Sequence, residues 1–260
     1  MATTIYTPSM LRGAGTRGVP EVPAGSSTPY ENTYSMEFDG VDESISTGFS
    51  YDAAVTPNLS LSFWFKTTST ALFKFPISIK TNGGLYNSSI VMMYGDNLLI
   101  QDRTGWNFGT NQSINDGNWH NVIVTAAYSG NTTAGTLLNM YLDGNLTPDL
   151  TSTTMDSGAN SYLDGDLYMG SFNGTGNFYD CNVDEVAVWE SILSSADITA
   201  IYNSGVPDDL SSLSPVGWWR MGEKGNYSGG VWTLTDQGSG GNNGTSDNME
   251  EADRVTDIPS

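Results

Sequence analysis

The chain has 260 residues, enough for one large all-β domain with or without an arm and too few for a second enzyme-sized domain beside it. Only 9 Lys and Arg stand against 29 Asp and Glu, and the formal net charge of -20 argues against nucleic acid as a partner. A single cysteine, Cys181, excludes an internal disulfide framework, and no run of about 18 apolar residues is present to span a membrane.

Residues 1 to 33 read as an extended N-terminal arm. They carry Arg12 and Arg17 and are punctuated by Gly13, Gly15, Gly18, Pro20, Pro23, Gly25 and Pro29. Ile5, Tyr6, Met10 and Leu11 are more apolar than a plain linker needs, and with Arg12 and Arg17 they form the expected partner-binding set, opposite in sign to the acidic body. The N-terminus has no continuous apolar stretch of the secretory type, so no secretory signal is expected.

From Tyr34 onward the pattern becomes short alternating runs with turn residues between them, which predicts a sandwich over 34–260. In "LSLSFWFK", Leu59, Leu61, Phe63 and Phe65 share one face and Ser60, Ser62, Trp64 and Lys66 the other. Gly95-Asp96 and Asp143-Gly144 are predicted tight hairpin turns. "WHNVIVTAAY" is expected as a central strand with Val122, Val124 and Ala126 facing inward, and with His120 in a structural role. Cys181 to Trp189 forms a long strand in which Cys181 is a small buried thiol. One helix follows, capped by Ser194 with Asp197 three residues on and terminated at Gly205.

Three segments, "SMEFDGVDESIS" at 35–46, "DGNWHNVIV" at 116–124 and the stretch from Tyr162 to Gly205, resemble in order and spacing the laminin G-like branch of the concanavalin A-like lectin and glucanase superfamily. That resemblance implies an all-β, two-sheet jelly roll used mostly for binding and in some members for glycan cleavage. "WWRMGE" and "DQGSGGNNGT" stand after the helix here, whereas many such modules place segments of this type before the first strand. Either residues 215–248 complete the sandwich in a circular permutation, with Val216 to Met221 as a strand that turns one Trp to the core and one to the rim, or they open a further module. The same tail, the acidic balance and the signal-less start resemble laminin G-like proteins carried on virions of marine tailed phages, which implies assembly in the host cytoplasm, several copies, and other virion proteins as partners.

Glycosidases of the superfamily place two carboxylates on one strand face in a Glu-x-Asp-x-x-Glu run. This run is lacking here, and Asp184 and Glu185, adjacent on one strand, are expected to point to opposite faces. The expected function is therefore a non-enzymatic, virion-displayed protein that binds glycans or stabilises the shell. A purely structural decoration protein and a glycan hydrolase are the alternatives. A structural Ca²⁺ is the one cofactor considered, with Asp39, Asp42, Asp184, Asp236, Asn242 and Asn243 as oxygen donors or, equally, as ordinary turn residues. Tyr86, Trp106, Phe172, Phe178 and Tyr179, in or beside Gly/Asn-rich loops, are the candidate sugar platforms or else core and contact residues.

Overall fold

The structure of the protein, a computed structural model, describes residues 30–52, 55–80, 89–102, 105–108, 112–127, 136–155 and 165–260. The chain divides into two units, 1–30 and 31–260. Of the first only Tyr30 is described, so Ile5, Tyr6, Met10, Leu11, Arg12 and Arg17 lie outside the described residues.

In chain order the strands are β1 (Ser35–Asp39), β2 (Ser44–Tyr51), β3 (Asn58–Lys66), β4 (Leu72–Lys74), β5 (Ile77–Lys80), β6 (Ser89–Tyr94), β7 (Asn97–Asp102), β8 (Gly105–Phe108) and β9 (Trp119–Ala127). β10 (Thr136–Leu142), β11 (Leu150–Met155), β12 (Gly165–Met169) and β13 (Asp180–Trp189) lead to the helix α1 (Ser195–Tyr202), and β14 (Gly217–Trp219), β15 (Gly225–Ser228), β16 (Val231–Leu234), β17 (Gly244–Asp247) and β18 (Arg254–Val255) follow it. Among the described residues the front sheet runs β11-β10-β9-β3-β13-β1-β18, with β14 also paired to β13. The back sheet runs β15-β16-β17-β2-β12-β5, and a smaller sheet runs β4-β6-β7-β8. The fold is nearly all-β with stacked antiparallel sheets.

Strand alternation builds the core between the sheets. Leu59, Leu61, Phe63 and Phe65 of β3 and Val122, Val124 and Ala126 of β9 share it with Ile45 and Phe49 of β2 and Leu167 and Met169 of β12. The other face of β3 is buried as well, with Ser60, Ser62 and Trp64 at most 3% exposed. The chain beyond β13 covers it: the Ser60 hydroxyl donates to the Ser191 carbonyl and accepts from the Leu193 N–H, and Trp64 stacks on Tyr202 of α1 at 5.8 Å between ring centroids.

The helix begins at the expected cap, where the Ser194 hydroxyl accepts from the Asp197 N–H and the Asp197 carboxylate accepts from the Ser194 N–H. It ends at Asn203 in the left-handed region (φ 42), two residues before Gly205, because asparagine also tolerates that conformation. Gly95-Asp96 joins β6 to β7 as a two-residue turn, with Tyr94 opposite Asn97. Asp143 and Gly144 take the left-handed conformations of a type I′ turn (φ 49 and 69), but pairing resumes only with Leu150 opposite Met140. Pro148 lacks an N–H, and the Asn145 side-chain oxygen accepts from the Thr147 N–H, so the chain between is held as a loop.

Residues 217–247 contribute to both main sheets. β14 pairs with β13, Trp219 opposite Val186, and β17 pairs with β2, Thr245 opposite Ser46. Trp219, Trp232 and Leu234 are at most 1% exposed within the shared core. The strand is shorter than Val216 to Met221, and Trp218 does not stand at a rim. Trp218 is 4% exposed because its indole N–H donates to Glu185 at 2.6 Å and its ring lies against the Arg220 guanidinium. Residues 31–34 also belong to the sandwich: the Glu31 carbonyl accepts from Arg220, and the backbone N–H groups of Thr33 and Tyr34 donate to Glu223.

Candidate functional site

β13 carries an extra residue relative to β3. Asp184 lies opposite Trp64 and Ala187 opposite Ser62, so three steps on β13 match two on β3. This β-bulge is centred on Glu185, which takes a left-handed φ of 48. It changes the phase of the strand: Val183 and Val186 both face the core, and Asp184 and Glu185 both turn to the outer face. The expectation of opposite faces is thereby corrected, since a bulge breaks the two-residue period on which it rested.

Both carboxyl groups are enclosed, Asp184 at 0% and Glu185 at 2% exposure. Glu185 accepts from the Trp218 indole N–H and from the Arg220 Nε at 3.1 Å. Asp184 accepts from the Asn32 amide and from the Glu185 N–H, both at 2.8 Å. Burial, followed by the charge of Glu185, pushes the Asp184 carboxyl well above its ordinary range despite the Asn32 hydrogen bond.

An open cleft of about 410 Å³ lies where β3 ends, β9 begins and α1 gives way to its C-terminal turn. Trp64, Trp119 and Tyr202 supply its rings, Asn118, Asp143 and Ser204 its polar groups, and Lys66 its cation. Lys66 and Trp119 are register partners on adjacent strands, and Trp64 lies two residues before Lys66 on the same face. The Asp143-Gly144 turn packs so closely on the Tyr202 ring that a Cβ on Gly144 would lie 2.3 Å from it, so glycine is required there for space as well as for conformation.

His120 fastens the loops around this cleft. Its Nδ1 is 2.8 Å from Asp143 and its Nε2 3.2 Å from Asp116, while Asp143 also accepts from the Asn121 N–H. Burial lowers the imidazole pKa, but the hydrogen bonds and charges of Asp143 and then Asp116 outweigh it, and the net displacement is upward. Asp116 in turn accepts from the backbone and side-chain N–H groups of Asn118, which with His120 hold its carboxyl below the usual range. His120 is thus structural, but structural for the cleft wall. Beside it, Asp257 accepts from Lys66 at 2.5 Å and from the Trp119 indole N–H at 3.0 Å.

The expected calcium ligands do not gather into one group: Asp236, Asn242 and Asn243 meet in one loop, while Asp39, Asp42 and Asp184 bond elsewhere. Asp39 accepts from the Val41 N–H within its own turn, and Asp42 offers its carbonyl to Asn248. Both oxygens of Asp236 are taken by backbone N–H groups, of Trp218 and Gly238 on one and Asn242 on the other, and the Asn243 side chain accepts from the Asp236 N–H. Asp184 lies apart in its buried pair. Among the described residues no group of three His, Cys, Asp or Glu side chains is arranged to hold a metal. The residues present fit turn organisers, not one calcium shell.

Of the expected sugar platforms, the side chains of Phe172, Phe178 and Tyr179 are described. Tyr179 is 0% exposed and belongs to the core, so its ring offers no face to a ligand. Phe172 and Phe178 are half-buried, and Phe172 packs on Phe75 at 4.9 Å. Tyr86 and the side chain of Trp106 lie outside the described residues. The cleft aromatics Trp64, Trp119 and Tyr202 were not among the expected set, although Trp64 and Lys66 on the polar side of an otherwise apolar strand carried the signal.

A laminin G-type family model, described as concanavalin A-like lectin/glucanases superfamily, matches residues 39–199. A rat protein, the sushi, von Willebrand factor type A, EGF and pentraxin domain-containing protein 1, is 24% identical over 176 residues, covering 62% of this chain. The chain spans 4% of that relative's length. Among solved structures, a Bacteroides ovatus protein described as a "putative carbohydrate binding protein" superposes with a TM-score of 0.59 at 15% identity, covering 89% of this chain and 62% of the other. A heptameric SAP-like pentraxin from Limulus polyphemus gives 0.48 at 15% identity, over 66% and 82%. The likeness to the Bacteroides ovatus protein speaks to the fold, and the family match extends over more than half of the sequence. The chain belongs to the concanavalin A-like lectin/glucanases superfamily, in its laminin G-like branch.

Proposed function

We propose that this protein is a non-enzymatic, lectin-like module that binds glycans in the cleft between the β3 end, the β9 start and the end of α1. The cleft itself carries the reading. Sugar C–H faces stack on exposed ring faces such as those of Trp119 and Tyr202, and sugar hydroxyls exchange hydrogen bonds with amides and carboxylates such as Asn118 and Asp143. The likeness to the Bacteroides ovatus protein supports a binding role for this fold. Cleavage is left out because the only adjacent carboxylate pair on β13 is buried at 0% and 2% exposure. Calcium is left out because the expected ligands are bonded elsewhere.

The wider reading keeps the module on a virion, in several copies, assembled in the host cytoplasm and held by the arm before residue 31 against other virion proteins. What supports it is the sequence: apolar Ile5, Tyr6, Met10 and Leu11 beside Arg12 and Arg17, on a chain with a net charge of -20. A glycan array probed with the full chain tests the binding. Trp119→Ala and Asn118→Ala should abolish every signal while Phe172→Ala keeps it, and the reverse pattern would move the site to the Gly/Asn-rich loops. Deleting residues 2–20 should prevent incorporation into particles without changing sugar binding, and normal incorporation would refute the anchoring role.

A further inference from the structure

Lys66, the only cation among the described residues that line the cleft, is already engaged by an anion from the same chain. Asp257 lays its carboxylate between the Lys66 ammonium, at 2.5 Å, and the Trp119 indole N–H, at 3.0 Å. The backbone on which it sits is fastened independently. Arg254–Val255 pairs with β1, and the Asp257 carbonyl accepts from the Ser35 hydroxyl at 2.6 Å. Rotating the Asp257 side chain away therefore leaves the tail in place. The ion pair is half open to solvent, with Lys66 28% and Asp257 46% exposed, so the exchange removes no buried contact. A cation and an N–H donor converging on one point, in a cleft that also holds the Tyr202 ring, make a carboxylate seat at an aromatic edge.

We propose that the cleft takes glycans bearing a single carboxylate, of uronic or sialic acid type, and that Asp257 holds the place of that carboxylate until the ligand arrives. This rests on the reading of the cleft as a glycan site. The whole-molecule charge of -20 sets a limit on the ligand, because a polyanionic chain is repelled while one carboxylate is screened within about 8 Å at physiological salt. Asp257 thus acts as a competitor within the molecule: the apparent affinity for an acidic sugar is reduced by the fraction of time the seat is filled. Neutral sugars use the same rings and amides and do not experience that competition.

The test uses ligand-observed NMR titrations of the full chain with glucuronate and N-acetylneuraminate, their neutral counterparts glucose and N-acetylglucosamine, and heparin. The expected result is tighter binding of the two acids than of the neutral sugars. Asp257→Ala should strengthen the acids alone by about 3- to 10-fold, the range set by a seat filled most of the time. Lys66→Met should erase the preference for acids over neutral sugars. Neutral sugars bound as well as acids, or an Asp257→Ala affinity equal to wild type, would overturn the carboxylate seat and leave the glycan cleft standing. Heparin bound more tightly than glucuronate would overturn the single-carboxylate limit. No binding of any sugar to wild type or to Asp257→Ala would overturn both readings.

Discussion

At the residue scale the most consequential position is Glu185, a non-glycine residue held at φ 48, where strain of about 1 to 3 kcal/mol is expected. Its carboxylate is held by the Trp218 indole and Arg220, which over-determine the bulge. Arg220→Met leaves this buried charge without its cation and should cost about 3 to 5 kcal/mol of stability in urea unfolding. Asp184 behaves oppositely. Its raised native pKa means that the unfolded chain ionises first, so stability falls as pH climbs above the ordinary carboxylate range. Asp184→Asn should therefore raise the melting temperature at pH 8 and change it little at pH 4, and an equal effect at both would remove Asp184 as the source.

At the element scale, α1 closes the outer face of the front sheet and forms one wall of the cleft. Loss of its capping box through Ser194→Ala should cost about 1 kcal/mol. Gly144→Ala should cost more and also weaken sugar binding, because the added Cβ meets the Tyr202 ring at 2.3 Å. The strands after the helix matter more than the helix. Trp219, Trp232 and Leu234 fill the core, and β17 lies directly beside β2. A chain ending at residue 214 should show no cooperative melting, and unchanged thermal stability would show that these strands are dispensable.

At the scale of the whole molecule, acidity sets the response to pH. The Glu43 carboxyl is pushed up to about 7, chiefly by burial and then by the charges of Asp253 and Asp39, against the Asp39 N–H bond that lowers it. Between about 4.5 and 7 the native state therefore holds a proton that the unfolded chain has released, and stability declines through that window. His120 adds to the decline higher up: its contribution is complete below its unfolded value of 6.5 and is lost as pH rises through its raised native pKa. Self-repulsion at a net charge of -20 acts in the same direction. The melting temperature should be higher at pH 5.5 than at pH 8, rise with added salt at pH 8, and vary less with pH in Glu43→Gln. At matched ionic strength, melting curves in chelator and in millimolar calcium should coincide, and a higher melting temperature in calcium than in an equally strong sodium salt would restore the ion.

The amino-acid sequence by itself determined the parts that depend on near neighbours in the chain. Alternation in β3 and β9 reports a two-residue period, the Ser194–Asp197 box spans three residues, and the turn at Asp143-Gly144 follows from the left-handed tolerance of two adjacent residues. The order of its motifs also marked the family, from about Tyr34 to Gly205, and the family model matches 39–199 within that span. Tertiary structure decided whatever depends on residues far apart. The bulge that turns Asp184 and Glu185 to one face is held by Trp218 and Arg220, 33 and 35 residues beyond Glu185. The Trp64 face is sealed by Tyr202, the cleft joins the ends of β3, β9 and α1, and its Lys66 is bonded by Asp257, 191 residues away. Periodicity encodes which way a side chain points from its own strand, but not which element covers it, so the candidate site emerged only when the sheets closed.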